Sequence, residues 1–338
     1  MRTNRILIVT DAWRPQVNGV VRTLATVAGE IKAMGHAVEV IGPDRFRTVP
    51  CPTYGEIRLA VLPRRKLARL IEEFEPDHLH VATEGPLGIA AHSWARWRGA
   101  RFTTSFHTRF AEYLNARTRI PPRLIYPLLR RFHDAAEGTL VATSSLREEL
   151  RERGFRKIRA WTRGVDLDQF TPEHRDPWRG LPRPVFVYIG RVAVEKNIGA
   201  FLSLDLPGSK VVVGDGPLLD NLRRAWPSVT FTGARFGAEL AASYAGADVF
   251  VFPSKTDTFG LVLLEALACG TPVAAYDVTG PRDVLADAAG PIGAVGDDLR
   301  TAALTALNAD RAACRAHAER FSWRACAEMM LDNLVPLD

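Results

Sequence analysis

The sequence predicts an α/β protein of two doubly wound domains, each a parallel sheet with helices on both faces. Three observations carry this. The chain has 338 residues, and at roughly 100–200 residues per domain that suggests two. Short, wholly apolar strand candidates recur in both halves, where a half-exposed sheet would alternate. Helical stretches separate those candidates, as parallel pairing requires.

In the first half, Arg5–Thr10 reads as a buried strand. Asn18-Gly19-Val20 opens a helix running to about Met34, and Gly35 fits its C-cap. Ala37–Ile41 is the next strand, and the helix Lys66–Phe74 is followed by Pro76. A strand at His78–Val81, a helix at Pro86–Trp97, and strands at Arg101–Ser105 and Leu140–Thr143 complete the half. The second half offers strands at Val185–Ile189, Lys210–Val213, Val229–Phe231, Val249–Phe252 and Pro272–Ala275. Helix breakers gather near 165–183, in Thr171-Pro-Glu and Arg179-Gly-Leu-Pro-Arg-Pro. We therefore expect a first domain over 1–168 and a second over 169–316. In the remainder, 317–338, an amphipathic helix over Ala318–Leu334 is expected to pack back towards the first domain. Such domains place the carboxyl ends of their strands around a cleft, where ligands bind.

Composition narrows the classes. Apolar residues make up 47% and charged residues 24%, ordinary for a soluble globular protein. No apolar run reaches the roughly 18 residues of a membrane span. The run Ile6-Leu7-Ile8-Val9 is too short for a signal-peptide core, so a cytoplasmic location is expected. Cys51, Cys269, Cys314 and Cys326 form no CxxC pair, which supports neither a zinc site nor a redox motif. The net charge of +6 is uneven. Residues 1–168 hold 28 Lys and Arg against 18 Asp and Glu, or +10, and the rest hold 16 against 20, or −4. The asymmetry points to an anionic partner for the first half, with nucleic acid and anionic lipid both candidates, or to a generally arginine-rich surface.

The segment richest in chemistry is Phe252-Pro-Ser-Lys-Thr-Asp-Thr-Phe-Gly-Leu-Val-Leu-Leu-Glu-Ala-Leu-Ala-Cys-Gly-Thr-Pro-Val. A strand ends at Phe252, and a helix is expected from about Thr258 with Asp257 as its N-cap. The amides from Thr258 to Leu261, including Phe259 and Gly260, would form an anion site suited to pyrophosphate. Glu265 is a carboxylate within an apolar run. It either accepts two hydrogen bonds from a ribose diol or lies on a solvated stripe. Gly190-Arg191-Val-Ala-Val-Glu-Lys196-Asn197 follows a strand, so Arg191 and Lys196 lie at the sheet's carboxyl end, where two cations can stabilise a leaving diphosphate. A surface turn is the plainer alternative. Gly214-Asp-Gly-Pro217 is a second turn at the same sheet end. In the first domain, Gly19 would let backbone approach a phosphate, but no GxGxxG is present. His107 follows the strand at Arg101–Ser105, placed either for chemistry or for structure.

Together these motifs resemble the retaining GT-B glycosyltransferases of family 4. That family carries an acidic-x7-Glu motif at the position of Asp257 to Glu265. It also carries the Gly-Arg…Lys pair at Arg191 and Lys196, the Gly-Asp-Gly-Pro turn, and a glycine-rich turn after strand one. Phe106-His-Thr-Arg-Phe-Ala-Glu-Tyr113 and Ala82-Thr-Glu-Gly-Pro-Leu-Gly88 further resemble the mannosyl-, glucosyl- and sulfoquinovosyl-transferase branch that often glycosylates diacylglycerol lipids. The resemblance implies a hexosyltransferase moving glucose, mannose or glucuronate. Arg191 and Lys196 would neutralise the donor diphosphate, Glu265 would hold the ribose, and Asp257 would bind the sugar hydroxyls. The amides of Phe259, Gly260 and Leu261 would support the diphosphate, with Gly190 and Gly214 in the donor turns and Gly19 facing it from the other domain. His107 would sit by the reacting sugar. The leaving phosphate would help deprotonate the acceptor, so no protein nucleophile, cofactor or metal is expected, and family habit favours a UDP-sugar over a GDP-sugar. The family more often has Glu where this chain has Asp257, which shortens the reach to the sugar. Asp166-Leu-Asp168 formally reads as a metal-binding DxD, but the family's equivalent segment is structural.

On the acceptor side, Arg117, Arg119, Arg123, Arg130 and Arg131 occur without an acid among interleaved apolar residues. A basic amphipathic segment is a membrane-surface signal, though an ordinary helix with outward arginines has the same pattern. We expect a diacylglycerol or glycolipid acceptor, peripheral attachment to the inner face of the cytoplasmic membrane, and a monomer. Rival readings are a soluble or polysaccharide acceptor, a sugar-nucleotide epimerase, and a basic nucleic-acid-binding protein. The epimerase lacks its acid/base cluster, and nucleic-acid binding lacks a recognition motif.

Overall fold

The computed structural model describes residues 3–16, 18–51, 54–174 and 176–338, without the side chains of 54–56, 116 and 117. The chain divides into two compact units, Met1–Arg163 with Trp323–Asp338, and Gly164–Ser322.

The first unit holds β1 (Arg5–Val9), β2 (Ala37–Ile41), β3 (Thr48–Cys51), β4 (Tyr54–Ala60), β5 (His78–Val81), β6 (Thr103–Phe106), β7 (Gly138–Val141) and β8 (Ile158–Ala160). Six of these form a parallel sheet in the order β2-β1-β5-β6-β7-β8. β3 and β4 form a separate antiparallel pair. β6 and β7 are buried along their whole length, as parallel strands covered on both faces must be. β6 nevertheless reads Thr-Thr-Ser-Phe, and its hydroxyls are satisfied by histidines. His80 Nδ1 is 2.9 Å from Thr103 Oγ1 and its Nε2 is 3.1 Å from Ser105 Oγ. His133 Nδ1 is 2.9 Å from Thr104 Oγ1. The helix Gly19–Ala33 starts at the N-cap Asn18, whose side chain accepts from the Val20 and Val21 amides, and Gly35 follows it at φ +91.

The second unit holds β9 (Val185–Ile189), β10 (Ser209–Val213), β11 (Thr230–Gly233), β12 (Val249–Phe252), β13 (Val273–Ala275) and β14 (Gly293–Val295). They form a parallel sheet in the order β11-β10-β9-β12-β13-β14. The chain winds outward from β9 through β10 and β11, then returns to β12 on the other side. That reversal is the switch point of a doubly wound sheet, where ligands bind beyond the carboxyl ends of the strands. Both sheets are therefore of the α/β class read from the sequence. The hairpin β3–β4 and the short edge strands β8 and β14 are additions to that reading.

Residues 164–168 and 317–322, expected outside the second domain, belong to the second unit. The Val165 amide donates to Phe321 O at 3.1 Å, and Val165 pairs with Ser322. This pairing also breaks the single helix expected over Ala318–Leu334. One helix, Arg311–Ala318, ends before it, and another, Trp323–Asn333, begins after it. The second helix lies in the first unit, where Trp161 Nε1 donates to Cys326 O at 3.0 Å. His78 Nδ1 meets Val335 O at 2.7 Å. Burial raises the thiols of Cys269 and Cys314 to about 12 and that of Cys326 to about 11. Among the described residues no helix is long and apolar enough to cross a membrane.

Candidate active site

In the second unit, the loops after β9 and β10 are built to touch. Val192 N–H donates to Asp215 O at 2.8 Å, and Leu218 N–H donates to Val192 O at 3.1 Å. A Cβ at Gly214 would lie 1.8 Å from Gly190 O, and one at Gly216 would lie 2.4 Å from Val192 O. Only glycine fits either place, and both also adopt positive φ. Thus Gly214-Asp-Gly-Pro217 is more than a turn: it buttresses the loop that carries Arg191. Tyr188 adds a second brace, its hydroxyl donating to Arg191 O at 2.7 Å.

The loop after β12 meets the loop after β9 at the switch point. Lys196 Nζ lies 2.6 Å from Asp257 Oδ1, with both side chains largely shielded from solvent. Asn197 Nδ2 donates to Pro253 O at 3.1 Å. Here the expected local structure is corrected. The helix begins at Leu261, and its N-cap is Gly260 at φ +85, with no side-chain cap bond. Asp257 is not the N-cap because the Lys196 ammonium takes its carboxylate, and the turn at Gly260 separates it from the helix. Asp257 Oδ2 and Ser254 Oγ are buried without a hydrogen-bond partner among the described residues, an unusual state that calls for an explanation. Phe259 is buried and packs edge-on to Phe321 at 6.4 Å between ring centroids.

Glu265 is 3% exposed, so it does not lie on a solvated stripe. Tyr244 Oη donates to its Oε2 at 2.9 Å. Sequence reasoning missed Tyr244, Tyr188, Ser254 and Asn197. Tyr244 has no local signal, because its role exists only through contact with another helix. Asp166 Oδ1 accepts from the amides of Asp168 and Gln169, a backbone-turn role for the Asp166-Leu-Asp168 segment.

In the first unit, β1 and β5 flank the equivalent switch point. Asp11, just after β1, is the residue the sequence reading passed over. Its Oδ1 accepts from Leu87 N–H at 2.8 Å, and its Oδ2 accepts from Gly88 N–H at 3.1 Å and from Thr83 Oγ1 at 2.9 Å. A buried carboxylate from one strand end thus caps the helix Pro86–Arg98 of the next. Burial pushes its pKa up, against the pull of those donors. An acid directly after a buried strand was the available signal. Gly19 is exposed at the first position of its helix. His107, just after β6, is buried, with Nδ1 3.3 Å from Arg163 Nη2. Burial, then the Arg163 charge, then His80 and His133, hold its pKa well below the usual histidine range.

The basic segment forms two helices, Phe110–Thr118 and Pro122–His133. The Arg117 side chain lies outside the described residues. Arg119 caps the first helix at φ +59. On the second, Tyr126, Leu129 and His133 face inward. Arg123, Arg130 and Arg131 are exposed, as are Leu124 at 60% and Leu128 at 65%.

Comparison with known proteins decides the family. Residues 17–169 match the family model Glycosyltransferase Family 4, and residues 183–308 match Glycosyl transferases group 1. The chain is 33% identical over 307 residues to a GDP-mannose-dependent alpha-mannosyltransferase of Mycobacterium tuberculosis, covering 83% of this chain and 81% of that one. The chain belongs to glycosyltransferase family 4. It is a retaining glycosyltransferase and a hexosyltransferase. A second relative is the alpha-monoglucosyldiacylglycerol synthase of Streptococcus pneumoniae, 28% identical over 80% of this chain and 71% of that one. The fold of this chain is GT-B. Sucrose-phosphate synthase from Thermosynechococcus elongatus superposes with a TM-score of 0.71 at 19% identity, over 97% of this chain and 98% of that one.

Proposed function

We propose that this enzyme transfers a hexose from a nucleotide-sugar to a hydroxyl of a diacylglycerol-type lipid or glycolipid at an anionic membrane surface. The observation that carries the donor half is the Lys196–Asp257 pair at 2.6 Å, set where β9 and β12 end. Arg191 and Lys196 neutralise the donor diphosphate as the sugar–phosphate bond breaks. Lys196 has three donors, so it can hold Asp257 and a phosphate oxygen together. Asp257 Oδ2 then receives a sugar hydroxyl. The amides of Phe259, Gly260 and Leu261 face the diphosphate from a helix start that no side chain occupies. Gly190 and Gly214 allow the close backbone packing this needs. Glu265, oriented by Tyr244, receives the ribose hydroxyls. In the first unit, family resemblance gives Gly19 a phosphate contact and His107 a contact with the reacting sugar.

The donor is GDP-mannose or a UDP-hexose. The Mycobacterium tuberculosis relative's name favours GDP-mannose, and family habit favours UDP. The acceptor half is supported by the exposed arginines and leucines of Pro122–His133 and by the Streptococcus pneumoniae relative's name. On this reading the enzyme attaches peripherally to the inner face of the cytoplasmic membrane and works as a monomer.

The test is transfer by the purified protein with a panel of GDP- and UDP-sugars and diacylglycerol in anionic liposomes, beside the double variant Arg191→Ala/Lys196→Ala. One glycolipid, absent with the variant, is expected. Sugar release without glycolipid moves the acceptor to a soluble glycan. Failure to bind or consume any nucleotide-sugar sinks the reading.

A further inference from the structure

Arg163 is a buried cation, 4% exposed, with no ion pair among the described residues. Isolated buried charge is costly, and here it is met by neutral acceptors. Nη1 donates to Trp161 O at 3.0 Å and to Thr162 O at 2.8 Å. The guanidinium carbon lies 4.3 Å from the Trp161 ring centroid. Nη2 lies 3.3 Å from His107 Nδ1. Trp161 is itself held by the C-terminal helix through Cys326 O and meets the His107 ring edge-on at 5.5 Å.

A guanidinium has donors and no acceptor. In any Arg163–His107 hydrogen bond, Nδ1 must therefore supply the lone pair, and the proton of the neutral ring must sit on Nε2. We infer that Arg163 is a positioning residue that fixes His107 as a neutral imidazole protonated at Nε2, so that His107 serves a substrate oxygen as a hydrogen-bond donor and not as a base. The charges around the ring agree. Burial pushes Arg163 down only to about 10, so it stays cationic near neutral pH. His80 and His133 are the other titratable groups acting on the ring, and a charge on either would oppose a second proton there. His80, with both nitrogens bound to hydroxyls, is itself held at about 3. A preset neutral donor needs no reorganisation as charge develops on the substrate. It also leaves acceptor deprotonation to the departing phosphate. This rests on the reading that His107 meets the reacting sugar, so the test separates the two.

The test is a ring-nitrogen correlation spectrum of the full chain labelled with 15N-histidine, with His107 identified by the signals lost in His107→Gln. The expected pattern is a protonated Nε2 and a bare Nδ1 from about pH 6 to about 9. In Arg163→Met, an Nδ1-protonated form should appear and kcat should fall about 100-fold, with donor KM changed little. Arg163→Lys keeps a cationic donor and should restore both the wild-type ring signature and most of kcat. A wild-type ring protonated at Nδ1, or an unchanged ring in folded Arg163→Met, overturns the inference. If Arg163→Met does not fold, the wild-type spectrum still decides which nitrogen accepts. His107→Gln transferring at the wild-type rate overturns the substrate role of His107, whatever the tautomer.

Discussion

The two units share a doubly wound plan and treat their switch points in opposite ways. In the first, the helices that follow β1 and β5 have first-turn amides already taken. Asn18 accepts from Val20 and Val21, and Asp11 accepts from Leu87 and Gly88. In the second, the helix Leu261–Ala268 starts from glycine with no side-chain cap, beside a loop carrying two cations. A helix N-terminus attracts anions, so a protein side-chain oxygen bonded there leaves fewer amides for a substrate phosphate. At its switch point the first unit has both helix starts bonded by its own side chains, and the second leaves one uncapped, the one we propose receives the donor.

Substitution on each side should separate the two uses. Lys196→Ala should lower kcat/KM about 100- to 1,000-fold, with a smaller loss of stability, about 1–3 kcal/mol, from the unpaired Asp257 carboxylate in this largely shielded pair. A large fall in stability with unchanged kcat/KM would reverse the assignment. Asp11→Ala should do the opposite. It strands two amides and the Thr83 hydroxyl, at about 1–3 kcal/mol per unsatisfied group, partly relieved by water. A loss of about 2–4 kcal/mol in denaturant unfolding is expected.

Asp11 also predicts a pH dependence. Its folded pKa is raised above the ordinary 3.8, chiefly by burial. Its titration therefore favours the folded state below the unfolded value, and that contribution is lost as pH rises through the folded value. Unfolding free energies of wild type and Asp11→Asn, compared from about pH 3 upward, should show the wild type losing ground across that window. A difference that does not vary with pH removes the raised pKa from the account.

What the sequence made legible follows the same division. Strands β9 and β12 are continuous apolar runs, so their existence and their loops could be read directly. The acidic-x7-Glu spacing located both carboxylates. Their partners could not be read, because Lys196 is 61 residues from Asp257 and Tyr244 is 21 from Glu265. Hence Asp257 was expected as a cap, and Glu265 was left between two fates. The edge strand β8, Ile-Arg-Ala, is three residues long and partly exposed, which leaves no apolar run to see. The break between Ala318 and Trp323 depends on Val165, far away in sequence. Local pattern fixes elements, and distant partners fix their ends and their chemistry.

A smaller effect tests the orientation of Glu265. Tyr244→Phe removes the hydroxyl that donates to Oε2 and keeps the ring in its aromatic contacts with Phe170 and Phe250. We expect about 1–2 kcal/mol of lost donor affinity or stability together, measured by nucleotide titration and unfolding. No change in either would mean that Tyr244 does not position the carboxylate.

The smallest effect concerns where the first unit would bind anions, given that the helix starts after β1 and β5 are bonded to Asn18 and Asp11. The exposed face of Pro122–His133 carries Arg123 and Arg131 beside Leu124 and Leu128. Each arginine at an anionic lipid surface contributes about 1 kcal/mol, so Arg123→Gln should weaken liposome binding about fivefold at low salt. The difference should shrink as salt screens the surface charge. Leu124→Ser should weaken binding at every salt concentration, because burial of its side chain in the interface does not depend on screening. If Arg123→Gln and Leu124→Ser both leave sedimentation with anionic liposomes unchanged, this face is an ordinary solvated one. The first unit's excess positive charge would then need another partner, and a soluble acceptor becomes the better reading.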